Sequence, residues 1–316
     1  MKWIKRIVLG LLALVVVAVF GASWYFSGLV ITPNGRTDEM QMARIEENWG
    51  QPVSLYTDRL SEPEEFRFET FDGLSLFGRY YEHPEGNDCG AVITHGWGAT
   101  GFSMVKVAWI YYERGCDVVL YDHRSIGRSE GTYGSFGVYE REDVLSAVAW
   151  LEERAGLETS QIGLVGESYG AAAVLQAAPN EPGLAFVVAD SSYQDLYTAI
   201  AERAIRDFGD GITVLLVPSL TMAGMRNDFD YREASPLLAA PNIEVPVMLV
   251  RSQADEDTSS DQSQNIFDAL TTDEAVFHHL DWGSIHGRDS LTRPDEYAAL
   301  VHAFIDEYAS GFGETP

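Results

Sequence analysis

The sequence predicts an α/β fold: a mostly parallel sheet of eight strands with helices on both faces and a small helical cap, preceded by one N-terminal transmembrane helix. Short apolar runs alternate with helical stretches along most of the chain. A G-x-S-x-G motif stands between one such run and a helix, and residues 7–31 carry no charge. Apolar strands that alternate with helices form βαβ units, whose parallel sheet is buried on both faces.

The N-terminus begins with three basic residues, which precede an uncharged stretch of 25 residues from Ile7 to Ile31. This length is sufficient to cross ~30 Å of hydrocarbon as a helix, and Trp24 and Tyr25 suit the far interface. The alternative is a cleaved signal peptide, cut near residues 21–23, but signal peptides have a shorter apolar core of roughly 7–15 residues. We therefore expect a retained membrane anchor over residues 1–31.

The orientation of this anchor follows from the charges on either side of it. The basic residues Lys2, Lys5 and Arg6 lie before the span, and the acidic residues Asp38 and Glu39 follow it. The positive-inside rule predicts a single-pass protein of the cell membrane, with a cytoplasmic N-terminus and an extracytoplasmic catalytic domain.

Residues 32–64 are interpreted as a connector with a short helix near Asp38–Trp49, and residues 65–310 as one α/β domain. The domain opens with strand runs Glu65–Phe71 and Leu74–Tyr81, joined by the hairpin signal Asp72-Gly73. The later apolar runs are Ala91–Thr94, Val118–Tyr121, Ile162–Val165, Leu184–Ala189, Val245–Val250 and Ala275–Leu280. The helical stretches that accompany them are Phe102–Arg114, Val138–Arg154, Tyr169–Ala178, Ser259–Leu270 and Pro294–Tyr308.

One connection is much longer than the others. More than fifty residues separate Ala189 from Val245, and they include the helix-like stretches Leu196–Phe208 and Ile212–Met225. An insertion over about residues 191–236 would form a cap above the carboxyl edge of the sheet, where ligands bind in open α/β sheets.

The chain is strongly acidic, with 48 acidic against 21 basic residues and a net charge of −27 over 316 residues. Such a surface repels phosphate backbones, so a nucleic-acid partner is not expected. Two interpretations of the charge remain open: a highly solvated surface, or adaptation to a saline medium that screens the self-repulsion.

The segment Gly166-Glu167-Ser168-Tyr169-Gly170 follows a strand run and opens an Ala-rich helix. This is the context that a nucleophile elbow requires, because the glycines allow a sharp turn that exposes the serine at the top of the sheet. The pattern predicts Ser168 as a catalytic nucleophile; the alternative is a structural turn.

The segment His95-Gly96-Trp97-Gly98 follows the strand run Ala91–Thr94. The loop after this strand supplies one half of an oxyanion hole, and the residue after the nucleophile supplies the other. We expect the backbone N–H groups of Trp97 and Tyr169 to be the donors. For His95, a structural role in holding the loop is favoured over a chemical one.

Together with Asp122–Ser129, these motifs resemble the α/β-hydrolase superfamily. The resemblance is strongest to bacterial membrane-anchored serine hydrolases of the serine-aminopeptidase-like or prolyl-oligopeptidase-like kind, and it covers about residues 66–308. It implies the α/β-hydrolase fold and a catalytic triad in the chain order serine, acid, histidine.

The resemblance places the acid after the seventh strand. Many relatives have H-G-x-x-D there, and because Arg251 stands at the position of that histidine, the acid is Asp255, with Asp257 as the alternative. The base is expected after the eighth strand, where His286 lies in a loop before the last helix. Asp255 would hold His286 in the required tautomer.

No metal site or cofactor is predicted. The run Asp255–Asp261 alternates oxygen-bearing side chains, but Ser260 and Ile266 stand where an EF-hand loop requires Gly and Glu. No zinc-like spacing of Cys and His is present either.

These features predict a serine hydrolase that cleaves a small-molecule ester, a thioester or an amide, including short peptides, through an acyl-enzyme. The alternative from another class is an inactive α/β-hydrolase fold that serves as a binding module, which the complete triad disfavours. An aminopeptidase-like enzyme would need carboxylates that hold a substrate ammonium group. The candidates for that role are Glu167, Asp195, Glu202 and Asp207. The oligomeric state stays open.

The two cysteines of the chain, Cys89 and Cys116, each lie six residues before the residue that ends a strand, His95 and Asp122 respectively. Because the family pairs these two strands in parallel, the cysteines should lie side by side, within reach of a disulfide. The alternative is two buried thiols.

Overall fold

The computed structural model describes residues 2–33, 35, 37–84 and 88–313, apart from the side chains of Asn48 and Trp49. Eight strands form one sheet in the order β1-β2-β4-β3-β5-β6-β7-β8. The strands β1 and β2 form an antiparallel hairpin, β2 pairs antiparallel with β4, and all other neighbours are parallel. The strands are β1 (Glu64–Glu69), β2 (Ser75–Tyr81), β3 (Gly90–Thr94), β4 (Asp117–Tyr121), β5 (Ile162–Glu167), β6 (Phe186–Asp190), β7 (Val247–Ser252) and β8 (Ala275–Leu280).

Helices cover both faces of this sheet, and the predicted α/β fold is confirmed. The helices before the cap are α1 (Lys2–Ile31), α2 (Asp38–Trp49), α3 (Ser54–Thr57), α4 (Val105–Tyr112), α5 (Glu140–Ala155) and α6 (Tyr169–Ala177). Those that follow are α7 (Leu196–Phe208), α8 (Thr213–Asn227), α9 (Pro236–Ala239), α10 (Ser260–Ala269), α11 (Asp289–Thr292) and α12 (Pro294–Tyr308).

The core lies in two layers, one on each side of the sheet. On one face, α4 and α12 pack onto the strands through buried side chains such as Trp109 and Phe304. On the other face, α5 and α6 do the same through Leu151 and Val174. The strands β3, β4, β6 and β7 are buried along their whole length because both faces are covered, which is why they appear in the sequence as continuous apolar runs.

The helix α1 is long and apolar enough to cross a membrane, and its most apolar stretch of 18 residues has a mean hydropathy of 2.6. Its residues 2–18 are exposed, but its last turns pack against α8 and bury Ser23, Ser27 and Ile31. The carbonyl of Ile31 also accepts a hydrogen bond from Gly134 N at 2.9 Å. The sequence analysis ended the membrane anchor at residue 31, but the structure packs the last turns of this helix into the domain that follows.

The predicted connector helix is present as α2, and it lies against the loop that follows β3. Gln41 donates a hydrogen bond to Gly98 O at 3.4 Å. At the start of the helix, Asp38 forms an ion pair with Arg79 and accepts a hydrogen bond from Thr100 Oγ1 at 2.9 Å. These contacts hold α2 beside the candidate oxyanion loop.

The residues between β6 and β7 contain α7, α8 and the short α9. The third hydrophobic cluster of the protein joins α8, through Leu220 and Ala223, to Tyr169 of the elbow and to Ile31. This insertion therefore packs over the carboxyl edge of the sheet and brings the end of α1 with it.

A disulfide joins Cys89 to Cys116, with Cα atoms 4.7 Å apart. The parallel register pairs Gly90 with Asp117, so each cysteine directly precedes a paired residue at the amino ends of β3 and β4. The bridge therefore lies at the edge of the sheet opposite the loops that carry Ser168 and His286.

Candidate active site

Ser168 stands alone between β5 and α6, in a backbone conformation with φ 54° and ψ −111°. This conformation is strained for a residue with a side chain. It is fixed by a hydrogen bond from Ser168 N to Asp190 O at 2.8 Å. A Cβ on Gly166 would lie 2.5 Å from the backbone of Gly170 and Ala171, and one on Gly170 would lie 2.5 Å from Thr94 O. Both elbow glycines are thus sterically required.

His286 lies between Ser168 and Asp255. Its Nε2 atom is 2.7 Å from Ser168 Oγ, and its Nδ1 atom is 2.7 Å from Asp255 Oδ2. In the tautomer with its proton on Nδ1, His286 donates to the carboxylate and accepts from the serine hydroxyl. The structure therefore brings together the three residues that the sequence analysis assigned to a triad.

Asp255 is fixed by the loop that carries it. Its Oδ1 atom accepts hydrogen bonds from the backbone N–H groups of Asp257 (2.8 Å) and Thr258 (3.0 Å), and its Oδ2 atom accepts one from Thr258 Oγ1 at 2.8 Å. Asp257, the alternative acid, instead forms an ion pair with Arg206 at 2.9 Å.

The two ionisable partners shift each other's pKa in opposite directions. Burial alone would raise the pKa of Asp255, but hydrogen bonds from His286 and Thr258, together with the charge of His286, hold it below its ordinary value. Burial alone would lower the pKa of His286, but the hydrogen bond and charge of Asp255 raise it above its ordinary value. The pair thus favours an ionised carboxylate beside a histidine with increased basicity.

The loop after β3 passes directly over the nucleophile. A Cβ placed on Gly96 would lie 3.5 Å from Ser168 Cβ, at van der Waals distance, so the loop lies next to the nucleophile. Trp97 is the next residue, and its ring packs on Phe136 and Tyr169 with centroids 4.9 Å away in each case. Tyr169 is the first residue of α6, so its N–H has no partner within the helix.

His95 stabilises this loop through both of its ring nitrogens, which is the structural role that the sequence analysis favoured. Its Nδ1 atom lies 2.9 Å from Gly96 O, and its Nε2 atom accepts a hydrogen bond from His123 N at 3.0 Å. Because burial lowers the pKa of His95 to about 4, its ring is neutral at ordinary pH and suits this pair of contacts.

Sequence reasoning missed Lys106, which connects three parts of the site. Its Nζ atom forms an ion pair with Glu167, the residue before the nucleophile, and donates to Gly287 O at 2.8 Å, next to His286. Its side chain is almost completely buried. A lone lysine in a predicted helical stretch gives no signal of this role, because lysines on helices usually face solvent.

Two other residues that hold the site were not predicted in that role. The sequence analysis noted Arg251 only because it stands at the position of a family histidine. In the structure its Nη2 atom donates to Asp255 O and Thr258 O, both at 3.0 Å, and so stabilises the loop that carries Asp255. Asp190 accepts a hydrogen bond from Tyr297 at 3.0 Å, and burial, reinforced by the charge of Glu167, raises its pKa to about 7.

Ser168 and His286 open into a cleft of about 760 Å³. It is lined by Phe26, Leu29 and Val30 of α1 and by residues of α7 and α8. Gln41 and Arg44 of α2 lie on another side. Neither the anchor helix nor the connector helix was expected to line the site.

The carboxylates that the sequence suggested for binding a substrate amine all have partners in the structure. Glu167 is paired with Lys106, and Asp195 caps α7 through Thr198 N at 2.7 Å. Glu202 accepts hydrogen bonds from Ser259 and from Gln262 Nε2 at 2.7 Å. Asp207 lies 3.4 Å from Arg206 and 3.6 Å from Arg203. In the described part of the chain, no group of three or more His, Cys, Asp and Glu side chains is arranged to hold a metal ion.

Comparison with known proteins places this architecture in context. The family model of the X-Pro dipeptidyl-peptidases (S15 family) matches residues 80–213. The uncharacterized protein YqkD of Bacillus subtilis is 26% identical over 304 residues, which cover 96% of this chain and 97% of that protein. The Pyrococcus furiosus esterase Pf2001 superposes with a TM-score of 0.68 at 18% identity, covering 89% of this chain and 99% of that one. Pyrococcus horikoshii acylaminoacyl peptidase gives a TM-score of 0.60 at 19% identity, covering 82% of this chain and 44% of that one.

The protein is a hydrolase of the α/β-hydrolase fold. The match to a peptidase family supports a serine hydrolase enzyme, as the motif resemblance implies, and the two solved structures share the fold.

Proposed function

We propose that the protein cleaves a carboxylic ester or thioester through an acyl-enzyme, with Ser168 as nucleophile, His286 as general base and Asp255 as the acid that orients it. The observation that carries this proposal is the continuous hydrogen-bonded chain from Asp255 through His286 to Ser168, with both contacts at 2.7 Å. The strained elbow that exposes the serine supports the same assignment.

The first half of the reaction forms the acyl-enzyme. As Ser168 Oγ attacks the substrate carbonyl carbon, its proton passes to His286 Nε2, and Asp255 stabilises the resulting imidazolium. The N–H groups of Trp97 and Tyr169 donate to the carbonyl oxygen as it becomes an oxyanion. The bond to the leaving group then breaks, and the leaving oxygen or sulfur takes the proton from His286.

The second half removes the acyl group. His286, neutral again, accepts a proton from a water molecule that attacks the acyl carbon. The new tetrahedral intermediate uses the same two backbone donors, and Ser168 Oγ leaves with the proton from His286. One water molecule is consumed, and the products are a carboxylic acid and an alcohol or thiol.

An aminopeptidase-like activity receives less support from the cleft. Binding a substrate ammonium group requires a carboxylate whose charge is not already balanced. Of the four suggested carboxylates, Glu167 and Asp207 line the cleft but are in ion pairs, and Asp195 and Glu202 are not among the residues that line it. The apolar walls favour an acyl chain over a charged N-terminus.

We further propose that the helix α1 anchors the protein in the cell membrane and crosses the hydrocarbon from Ile7 to about Phe26, with a cytoplasmic N-terminus and an extracytoplasmic hydrolase domain whose cap spans about residues 191–236. A retained helix is supported by the uncharged stretch Ile7–Ile31, which is longer than the apolar core of a signal peptide. The disulfide between Cys89 and Cys116 suits an oxidising compartment.

The decisive experiment is labelling with a fluorophosphonate probe, combined with turnover of p-nitrophenyl esters and aminoacyl-p-nitroanilides. Ser168→Ala should abolish labelling and lower kcat by about 10⁴-fold or more, because the nucleophile is lost. Ser146→Ala is the matched control, since Ser146 lies on α5 and donates only to Glu142 O, at 2.9 Å. Labelling that persists in Ser168→Ala would refute the assignment, and a wild-type protein that neither labels nor turns over substrate would indicate a binding module.

A further inference from the structure

The cleft above Ser168 is built partly from the helix that we propose as the membrane anchor. Phe26, Leu29 and Val30 of α1 line it, and the ring of Phe26 lies 5.6 Å from that of Phe208 at the end of α7. Ile212, Leu215 and Leu216, around the start of α8, also line the cleft. The part of the lining that α1 and the start of α8 contribute is thus apolar.

The helix α1 determines the position of this cleft along the normal of a bilayer. Residues 2–18 of α1 are exposed along their whole length, so only the later turns contact the domain. A hydrocarbon core needs about 20 helical residues, and counting from Ile7 places its far boundary near Phe26. The apolar wall of the cleft therefore begins where the helix leaves the bilayer.

The cap carries an apolar surface beside the anchor. No charged residue occurs between Thr213 and Met225 of α8, in a chain whose net charge is −27. Val214 is 73% exposed, Met225 77% and Phe208 61%. Exposed apolar side chains on this scale mark a contact surface, and this one is continuous with α1 because α8 packs along that helix.

The attachment of α8 to α1 is specific, which keeps the cleft at the membrane surface. Arg226 donates to Trp24 O at 3.2 Å and to Ser27 Oγ at 2.9 Å, and its guanidinium lies 4.6 Å from the Trp24 ring centre. Tryptophan at the end of a span prefers the headgroup level. This interaction therefore fixes the cap at the depth of the lipid headgroups.

We infer that the substrate is a long-chain acyl ester that is embedded in the membrane and reaches Ser168 between α1 and the helices α7 and α8. This inference rests on the proposed esterase function and adds the class of substrate. The acyl chain would lie against Phe26, Leu215 and Leu216, with its carbonyl carbon at Ser168 Oγ. Hydrolysis proceeds as described above and releases a fatty acid and an alcohol.

The test uses the full-length protein reconstituted in phosphatidylcholine vesicles, with p-nitrophenyl butyrate and p-nitrophenyl palmitate as probes. Wild-type kcat/KM should be at least about tenfold higher for the palmitate ester, because each buried methylene adds binding free energy. Leu215→Trp fills the apolar wall and should lower the palmitate-to-butyrate ratio at least about tenfold. Ala149→Trp, on the exposed side of α5 and outside the cleft lining, is the control and should leave the ratio unchanged.

The outcomes separate this inference from the function on which it rests. Butyrate turnover that depends on Ser168, together with palmitate turnover that is equal or slower, would overturn the inference and leave the esterase intact. Absence of Ser168-dependent turnover of either ester would refute the proposed function itself. Labelling of Leu215→Trp by the fluorophosphonate probe shows that the active site of this variant is folded. If the labelled variant has the same palmitate-to-butyrate ratio as the wild type, the inference is also overturned.

Discussion

At the scale of single residues, the contact between Asp255 and His286 governs the chemistry of the site. Burial alone would make His286 a weaker base, and the carboxylate reverses this by stabilising the protonated ring. Asp257 lies two residues away in sequence but is paired with Arg206. The sequence analysis kept Asp257 as an alternative to Asp255 because a single sequence does not fix the end of the seventh strand to better than a few residues.

The direction of this pKa shift predicts a pH dependence. A protonated His286 cannot accept the serine proton, so kcat/KM should rise with pH through an ionisation above the ordinary histidine value of about 6.5. Asp255→Asn removes the hydrogen bond and charge that raise this pKa, so the rising limb should move to lower pH while kcat falls by about 10³- to 10⁴-fold. The measurement is a pH–rate profile with a p-nitrophenyl ester.

Asp257→Asn is the matched control for this prediction. The charge of Asp257 contributes least among the causes that raise the pKa of His286. The rising limb of the pH–rate profile should therefore shift less than in Asp255→Asn, and kcat should change only a few-fold. If Asp257→Asn causes the greater loss of kcat, then Asp257 and not Asp255 orients the base.

At the scale of secondary-structure elements, the sequence predicts the sheet well and the contacts of the outer helices poorly. Each predicted strand begins and ends within two residues of its observed bounds. For β3, β4, β6 and β7 the reason is that strands covered on both faces are continuous apolar runs. The docking of α1 on α8 was not predicted, since an apolar helix buries its side chains equally well in lipid or in protein. The buried roles of Lys106 and Arg251 depend on distant partners, which local pattern does not reveal.

The disulfide between β3 and β4 provides a prediction at this scale. It closes a separation of 27 residues, for which the chain-entropy model gives roughly 3.5 kcal/mol of stabilisation. The double variant C89A/C116A should lose about this free energy of unfolding in denaturant titrations, and ester turnover should be unchanged because the bridge lies at the edge of the sheet opposite Ser168. Two reactive thiols per chain in the denatured, unreduced wild-type protein would show that the bridge is absent.

At the scale of the whole molecule, a highly acidic hydrolase domain is joined to an apolar helix whose two halves have different surroundings. The first half, residues 2–18, is exposed and suits lipid, whereas the last turns bury Ser23, Ser27 and Ile31 against the cap. The helix is therefore both a candidate anchor and a wall of the candidate active site. A boundary at residue 31, which hydropathy alone suggests, would remove that wall.

Two truncations test this division of the helix. A protein that begins at residue 19 should leave the membrane fraction on alkaline carbonate extraction and keep the Tm of the full-length protein, because it loses only exposed residues. A protein that begins at residue 32 loses the buried side chains of Ser23, Ser27 and Ile31 and leaves Gly134 N without its acceptor. Burial of one isoleucine is worth about 1.5–3 kcal/mol, so with the lost hydrogen bonds its Tm should fall by roughly 5–10 °C. Equal Tm values for the two truncations would show that the last turns of α1 do not belong to the folded domain, and full-length protein released by carbonate would show that the first half does not anchor it.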